Sequence, residues 1–155
     1  MIEIHIPGRD PYMLHYLAVD YNGTIAEDGQ LFEGVKARFE ELSKLVDISI
    51  LTADTYGTVR AQCAKLPVEV RTFPQAGAAA CKRAIIQSLG GGVVCLGNGY
   101  NDIQMFDEAD LSIAVLACEG MCAALLPHAD VLVMSPLDGL DLLLHTDRLR
   151  ATLRS

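Results

Sequence analysis

Short apolar runs of strand character alternate along the chain with segments of helical period, and this alternation constrains the fold more than any other feature. A chain patterned in this way closes as a mostly parallel sheet with helices on both faces, a three-layer α/β/α Rossmann-like arrangement. Ile2 to Ile6 alternates and stops at Pro7-Gly8, giving a short opening strand at an edge. Leu14 to Val19 is the next strand and delivers Asp20. Leu31 to Leu45 reads as a helix, with Leu31, Val35, Phe39 and Leu42 on one stripe, followed by a strand from Val46 to Leu51 ending in Thr52. A helix near Gly57 to Lys65 stops before Pro67, which cannot continue it. The strand Val68 to Phe73 then leads into a helix from Pro74 to Leu89, closed by three glycines. Val93 to Leu96, Leu111 to Val115 and Val131 to Met134 complete the strands. Between them lie a helical turn over Ile103 to Glu108 and a helix over Met121 to Leu126. Ser135-Pro136 caps a last leucine-rich helix, from Leu137 towards Leu149.

The 155 residues are expected to form one domain, 1–155, large enough for a real core. A net charge of −8 with no basic cluster argues against binding a nucleic acid backbone or an anionic membrane surface. A cation, or a cation-complexed substrate, suits that balance better. The five cysteines form no CxxC pair, and Cys118 and Cys122 have no neighbours that would complete a ligand set, so they read as small hydrophobes in a reducing compartment. The four histidines are scattered. The amino terminus lacks the basic and apolar regions of a signal peptide, and no apolar stretch is long enough to span a membrane. The cytoplasm is the expected location.

Four segments fall at the carboxyl ends of predicted strands or in the helix that follows. They are Asp20-Tyr21-Asn22-Gly23-Thr24, Thr52 with Asp54, Lys82, and Gly97-Asn98-Gly99-Tyr100-Asn101-Asp102. The carboxyl ends are where an open α/β sheet places its chemistry. Taken singly, each has an ordinary explanation: an aspartate after a strand caps a turn, a helical lysine is solvated, and Asn-Gly is turn chemistry. Their order along the chain is the specific signal.

In that order the segments resemble the four motifs of the haloacid dehalogenase-like superfamily, and most closely the phosphorylation domain of P-type ATPases and its free-standing relatives. The first motif of those phosphatases is Asp-x-Asp-Gly-Thr, matched by Asp20 to Thr24; the second is a strand ending in Ser or Thr, matched by Ile48 to Thr52. The third is a helical Lys or Arg, for which Lys82 is the candidate and Arg83 its rival. The fourth, Gly-Asp-Gly-x-Asn-Asp, is matched by Gly97 to Asp102. The resemblance covers Tyr16 to about Arg150. It implies that Asp20 attacks phosphorus to form an aspartyl-phosphate, with Mg²⁺ bound by Asp20, the backbone carbonyl of Asn22, Asn98 and Asp102. It also implies that Asp20, Gly23, Thr52 and Lys82 bind the phosphoryl group, Lys82 offsetting its charge. Asn101 is placed to brace the loop or Lys82.

Two departures replace a carboxylate by its amide. Asn22 stands where the phosphatases hold their acid–base residue, and an amide neither takes nor gives a proton at neutral pH, a loss of roughly 10²–10⁴-fold in rate. Asn98 removes a negative charge from the cation site. Two readings follow: a slow Mg²⁺-dependent phosphohydrolase, or an impaired relative that binds phosphate, Mg²⁺ or a protein partner without turnover. Both amides precede glycine, the context that favours deamidation through a cyclic imide, so activity is expected to grow on storage. The spacings from Thr24 to Thr52 and from Thr52 to Lys82 leave no room for a cap domain. An uncapped site suits a phosphorylated small molecule or a protein-borne phosphate. The leucine-rich tail serves either an oligomer interface or the cover of its own sheet.

Overall fold

Strands whose side chains are buried on both faces build the centre of the molecule. The structure, a computed structural model, describes residues 1–54 and 57–155. In chain order its strands are β1 (Ile2–Ile4), β2 (Tyr12–Asp20), β3 (Ala26–Glu27), β4 (Gln30–Leu31), β5 (Asp47–Thr52), β6 (Glu69–Thr72), β7 (Gly92–Gly97), β8 (Leu111–Val115) and β9 (Val131–Val133). Its helices are α1 (Val35–Leu42), α2 (Val59–Cys63), α3 (Ala78–Ser88), α4 (Ile103–Glu108), α5 (Pro136–Leu144) and α6 (Thr146–Leu153). The main sheet has the order β6-β5-β2-β7-β8-β9 with every pair parallel, while β1 adds antiparallel to the first part of β2. This is the α/β/α fold expected from the alternating pattern.

Alternation along β2 sends Leu17 and Val19 to one face and Ala18 to the other. On the first face, Leu17, Ile50, Leu96 and Ile113 pack with Phe39 of α1, Val59 of α2, Leu140 and Leu143 of α5 and Leu149 of α6. On the second, Ala18, Leu51, Cys95 and Ala114 pack with Ile86 of α3 and Met105 and Phe106 of α4. The leucine-rich tail therefore covers its own sheet.

The departures from the expected elements have local causes. The helix expected over 31–45 is shorter because Gln30 and Leu31 pair with β3 in a hairpin, and Gly34 just before α1 has a φ of +90°. The helix expected from Pro74 begins at Ala78, after Gly77 in the same left-handed region. The segment expected as a helix over 121–126 is a 3₁₀ turn, Ala123–His128, containing Pro127. The last helix is capped as expected, the Ser135 hydroxyl accepting from the Asp138 N–H at 3.1 Å, but it breaks at His145 into α5 and α6. Only the hairpin, α1 and β5 lie between Thr24 and Thr52. The described residues between Thr52 and Lys82 hold α2, β6 and the start of α3, so no cap domain is present among them. No helix among the described residues is long and apolar enough to cross a membrane.

One ion pair fastens α1 to α5. Arg38 donates from Nε and Nη2 to the two carboxylate oxygens of Asp141, at 2.7 and 2.9 Å, with both side chains mostly shielded. The hydrogen bond from Arg38 holds the Asp141 carboxyl below its ordinary range, against the opposing effect of burial. A lowered carboxyl stabilises the fold above its unfolded-state pKa, and that gain is lost as pH falls through the lowered one. Asp141→Asn is expected to lower the unfolding free energy by about 1 kcal/mol at neutral pH. Urea denaturation should show the gap to the native protein closing as acid protonates Asp141.

Candidate active site

Three neighbouring parallel strands end side by side: β2 at Asp20, β5 at Thr52 and β7 at Gly97. β2 lies between β5 and β7, so the chain leaves it in opposite directions and a crevice opens at the strand ends. Gly23 turns the chain after β2, its N–H donating to the Ala26 carbonyl at 2.8 Å. That bond corrects the expectation that the Gly23 amide meets phosphate. The glycine is required for space instead, since a Cβ there would lie 2.3 Å from Nδ2 of Asn98.

Lys82 comes from α3, on the buried stripe formed with Ala78 and Ile86. Its side chain is 1% exposed. The ammonium donates to Asp20 Oδ1 at 2.7 Å, Asn101 Oδ1 at 2.9 Å and Asp102 Oδ1 at 2.6 Å. All three of its protons are thereby engaged. Burial alone would lower the lysine pKa, but the facing charges of Asp20 and Asp102 raise it above its ordinary value. Arg83, the rival from sequence, points away and pairs with Glu108 at 2.7 Å.

Asp20 is 13% exposed, and its second oxygen, Oδ2, accepts from the Thr24 hydroxyl at 3.0 Å. Asp102 is fully buried, and its Oδ2 accepts from the backbone N–H groups of Asn98 at 3.0 Å and Gly99 at 2.9 Å. Burial, with the charge of Asp20 added, pushes the Asp102 carboxyl up to about 6, against the pull of Lys82 and the Gly99 N–H. Asp102, expected from the sequence as a cation ligand, is the buried counter-charge of Lys82 among the contacts described. Thr52 is buried at the end of β5, its Oγ accepting from the Asp54 N–H at 2.9 Å. A hydroxyl that accepts in this way keeps its own proton to donate.

The two amides differ in their surroundings. Asn98 donates from Nδ2 to the Gly120 carbonyl at 3.0 Å, while the Thr24 hydroxyl lies 3.1 Å from its Oδ1. A carbonyl can only accept, so its orientation sets which way the amide faces. The Cys122 N–H also donates to the Asn98 carbonyl at 2.8 Å. Asn98 therefore clasps the 116–122 segment to the first motif. No sequence motif marked Gly120. Oδ1 of Asn22, by contrast, is buried and has no hydrogen-bond partner. The attacking N–H that deamidation needs is bound at both sites, Gly23 to Ala26 and Gly99 to Asp102, so the fold works against the storage activation expected from sequence.

Asp20, Asn22, Thr52, Lys82, Asn98 and Asn101 line a cavity of about 160 Å³. This is well below the roughly 300–1,000 Å³ of pockets that enclose a drug-sized ligand, so the cavity suits a head group with the rest of a molecule outside. A larger cavity, about 620 Å³, lies at the opposite ends of β5 and β6 and touches none of the motif residues. Among the described residues no three His, Cys, Asp or Glu side chains are grouped to hold a metal. The lining residues include one carboxylate, Asp20, and the amides Asn22 and Asn98. These carry hard oxygen donors of the kind Mg²⁺ takes. The donor set fits a hard divalent cation, with little charge to hold it.

No protein-family model matches the chain. Two uncharacterised proteins of Methanocaldococcus jannaschii do match in sequence. MJ0073 is 40% identical over 62 residues, 40% of this chain and 67% of the other. MJ0072 is 51% identical over 39 residues, 25% of this chain and 89% of the other. Among solved structures, the 3-deoxy-D-manno-octulosonate 8-phosphate phosphatase of Moraxella catarrhalis, in complex with magnesium, phosphate and KDO, superposes with a TM-score of 0.68. It is 16% identical, over 91% of this chain and 94% of that one. The cobalt-bound deoxy-D-mannose-octulosonate 8-phosphate phosphatase of Haemophilus influenzae gives 0.71 at 10% identity, over 92% and 94%. A HAD superfamily (subfamily III A) hydrolase of Legionella pneumophila gives 0.71 at 14%, over 90% and 87%. At these identities the likeness shows the fold.

The clasp makes Asn98 more than a lost aspartate. Asn98→Asp replaces the N–H facing Gly120 by a second acceptor and is expected to cost about 1–3 kcal/mol of stability. Hydrogen exchange at 118–122 should quicken in the variant; unchanged exchange there would count against the clasp.

Proposed function

We propose that this chain, which belongs to one family with the two Methanocaldococcus proteins and has the haloacid dehalogenase-like fold, is a slow phosphohydrolase that acts through Asp20. The observation that carries this reading is the Asp20–Lys82–Asp102 cluster at the ends of β2, β7 and α3, opening on a cavity sized for a head group. The fold neighbours named as phosphatases support the same class of chemistry.

The roles follow from the contacts. Thr24 and Lys82 each bind one oxygen of Asp20 and fix its carboxylate at the cavity wall. Lys82 offsets the negative charge that would otherwise keep an incoming phosphoryl group away. Thr52 has a hydroxyl proton for a phosphoryl oxygen, since its lone pair already receives the Asp54 N–H. Asn101 and Asp102 hold the lysine in place. Asp20, the Asn22 carbonyl and Asn98 would hold a divalent cation, which supplies neutralisation of phosphoryl charge when bound. The substrate is a phosphorylated small molecule or a protein-borne phosphate. The alternative, binding without turnover, is favoured by the full pairing of Asp102 and Lys82, which leaves Asp20 as the one ionised group at the cavity not wholly buried.

Mass spectrometry and turnover with Mg²⁺ and acetyl phosphate decide between the two. Asp20→Asn is expected to lose the covalent phosphate and to lower turnover by about 10⁴-fold or more. Turnover that survives in this variant removes Asp20 as nucleophile. Phosphate binding with no label and no turnover in the native protein establishes the binding role instead. Calorimetry should show weak Mg²⁺ binding to the protein alone, tightening at least tenfold with phosphate present; equal affinity in both would argue against a shared cation–phosphate site.

A further inference from the structure

Among the described residues that line the cavity none is able to hand a proton to a leaving oxygen. Asn22, Asn98 and Asn101 are amides, which offer hydrogen bonds but no transferable proton at neutral pH. Lys82 has its three protons on Asp20, Asn101 and Asp102, all within 2.9 Å. Asp102 is sealed behind that lysine with no surface exposed. Thr52 is an alcohol, far too weak an acid to protonate an alkoxide. Asp20 is the attacking group. Among the described residues lining the site the inventory is then complete, and its sum is a nucleophile without an acid.

Resting on the reading of Asp20 as nucleophile, we infer that the substrates of this site are acyl phosphates and related mixed anhydrides rather than alkyl phosphate esters. In the first step a carboxylate oxygen of Asp20 forms a bond to phosphorus and the bond from phosphorus to the acyl oxygen breaks. The electron pair leaves with the acyl oxygen as a carboxylate, the conjugate base of an acid with a pKa of about 4, and no proton is needed. An alkyl ester would have to release an alkoxide, which departs only with a proton supplied. In the second step water attacks phosphorus and the bond to Asp20 breaks, its electron pair returning to the Asp20 carboxylate. Both hydrogens of the water leave with the phosphate as H₂PO₄⁻, which then equilibrates with buffer. No base assists this step either, so the phosphoenzyme accumulates.

The small cavity agrees with this assignment. It holds the phosphoryl head while the leaving group lies towards solvent, where recognition is by reactivity more than by shape. Asn22 is among the residues that line the cavity, at the position where the superfamily's phosphatases are expected to carry their acid.

The test compares acetyl, p-nitrophenyl, phenyl and ethyl phosphate with Mg²⁺ on native protein, Asp20→Asn and Asn22→Asp. The native protein should turn over acetyl phosphate with an initial burst, and rates should fall steeply as the leaving group becomes more basic. In Asn22→Asp the rate of phosphoenzyme formation should rise by about 10²–10⁴-fold with ethyl phosphate and by less than about tenfold with acetyl phosphate. Steady-state turnover of acetyl phosphate rises in that variant because the same carboxylate assists the hydrolysis step common to all substrates. Asp20-dependent turnover of ethyl phosphate matching that of acetyl phosphate in the native protein overturns the inference while leaving Asp20 as nucleophile. So does an equal gain in the rate of phosphoenzyme formation on every substrate in Asn22→Asp. If that variant does not fold, the leaving-group series on the native protein decides alone. Turnover of all four substrates that persists in Asp20→Asn, or no turnover of any, overturns the nucleophile reading and the inference with it.

Discussion

A lysine ammonium sealed between two carboxylates organises this molecule. A buried cation without partners costs several kcal/mol, and two carboxylates brought together without a cation repel each other. Lys82 meets both demands at once, with Asn101 as its third acceptor. For that to happen α3 must lie across the strand ends with Ala78, Lys82 and Ile86 facing inward, and the loop after β7 must bring Asn101 and Asp102 back under the lysine. The sheet order follows the same need, because β2 and β7 have to be neighbours for Asp20 and Asp102 to share one cation. Removing the lysine leaves two facing carboxylates without a cation between them, one of them fully buried. The cluster ties fold and site into one constraint.

Much of this was legible from residue pattern. The strands that are buried on both faces announce themselves as apolar runs, and Asp20, Thr52 and Gly97 were placed at their carboxyl ends before any contact was known. Helix limits were less legible. Leu31 continues the apolar stripe of α1, yet hairpin pairing with β3 claims it, and a stripe cannot reveal that competition. Lys82 and Arg83 are adjacent and chemically alike, so only packing separates the buried residue from the one that reaches Glu108. The Gly120 carbonyl was invisible for a different reason. A backbone acceptor 22 residues away from Asn98 carries no side-chain signature.

The two asparagines look equivalent in the sequence and are not. Asn98 gives its amide N–H to the Gly120 carbonyl, and its oxygen shares the single Thr24 hydroxyl proton with Asp20. A carboxylate has no N–H to offer Gly120, so the surroundings of this position select for an amide as such. Asn22 has an oxygen that no described residue approaches as a donor. The fold accounts for the amide at 98 through its bond to Gly120, whereas no contact among the described residues accounts for the oxygen of the amide at 22.

Charge connects these observations. Two carboxylates and one ammonium leave the cluster with a single net negative charge, where a carboxylate at both 22 and 98 would add two more. At an effective dielectric of about 20, unit charges 4 Å apart interact by about 4 kcal/mol, so each missing carboxylate matters. Its loss weakens the attraction for a divalent cation and, by a similar amount, relieves the repulsion of a dianionic phosphoryl group. For cation and phosphoryl group arriving together the two effects nearly cancel. For a cation arriving alone nothing cancels. On the proposed reading, a site that has exchanged two carboxylates for amides therefore keeps its affinity for a cation–phosphate pair while giving up most of its hold on the bare ion. That also fits an acidic protein whose formal charge of −8 would otherwise favour cations indiscriminately.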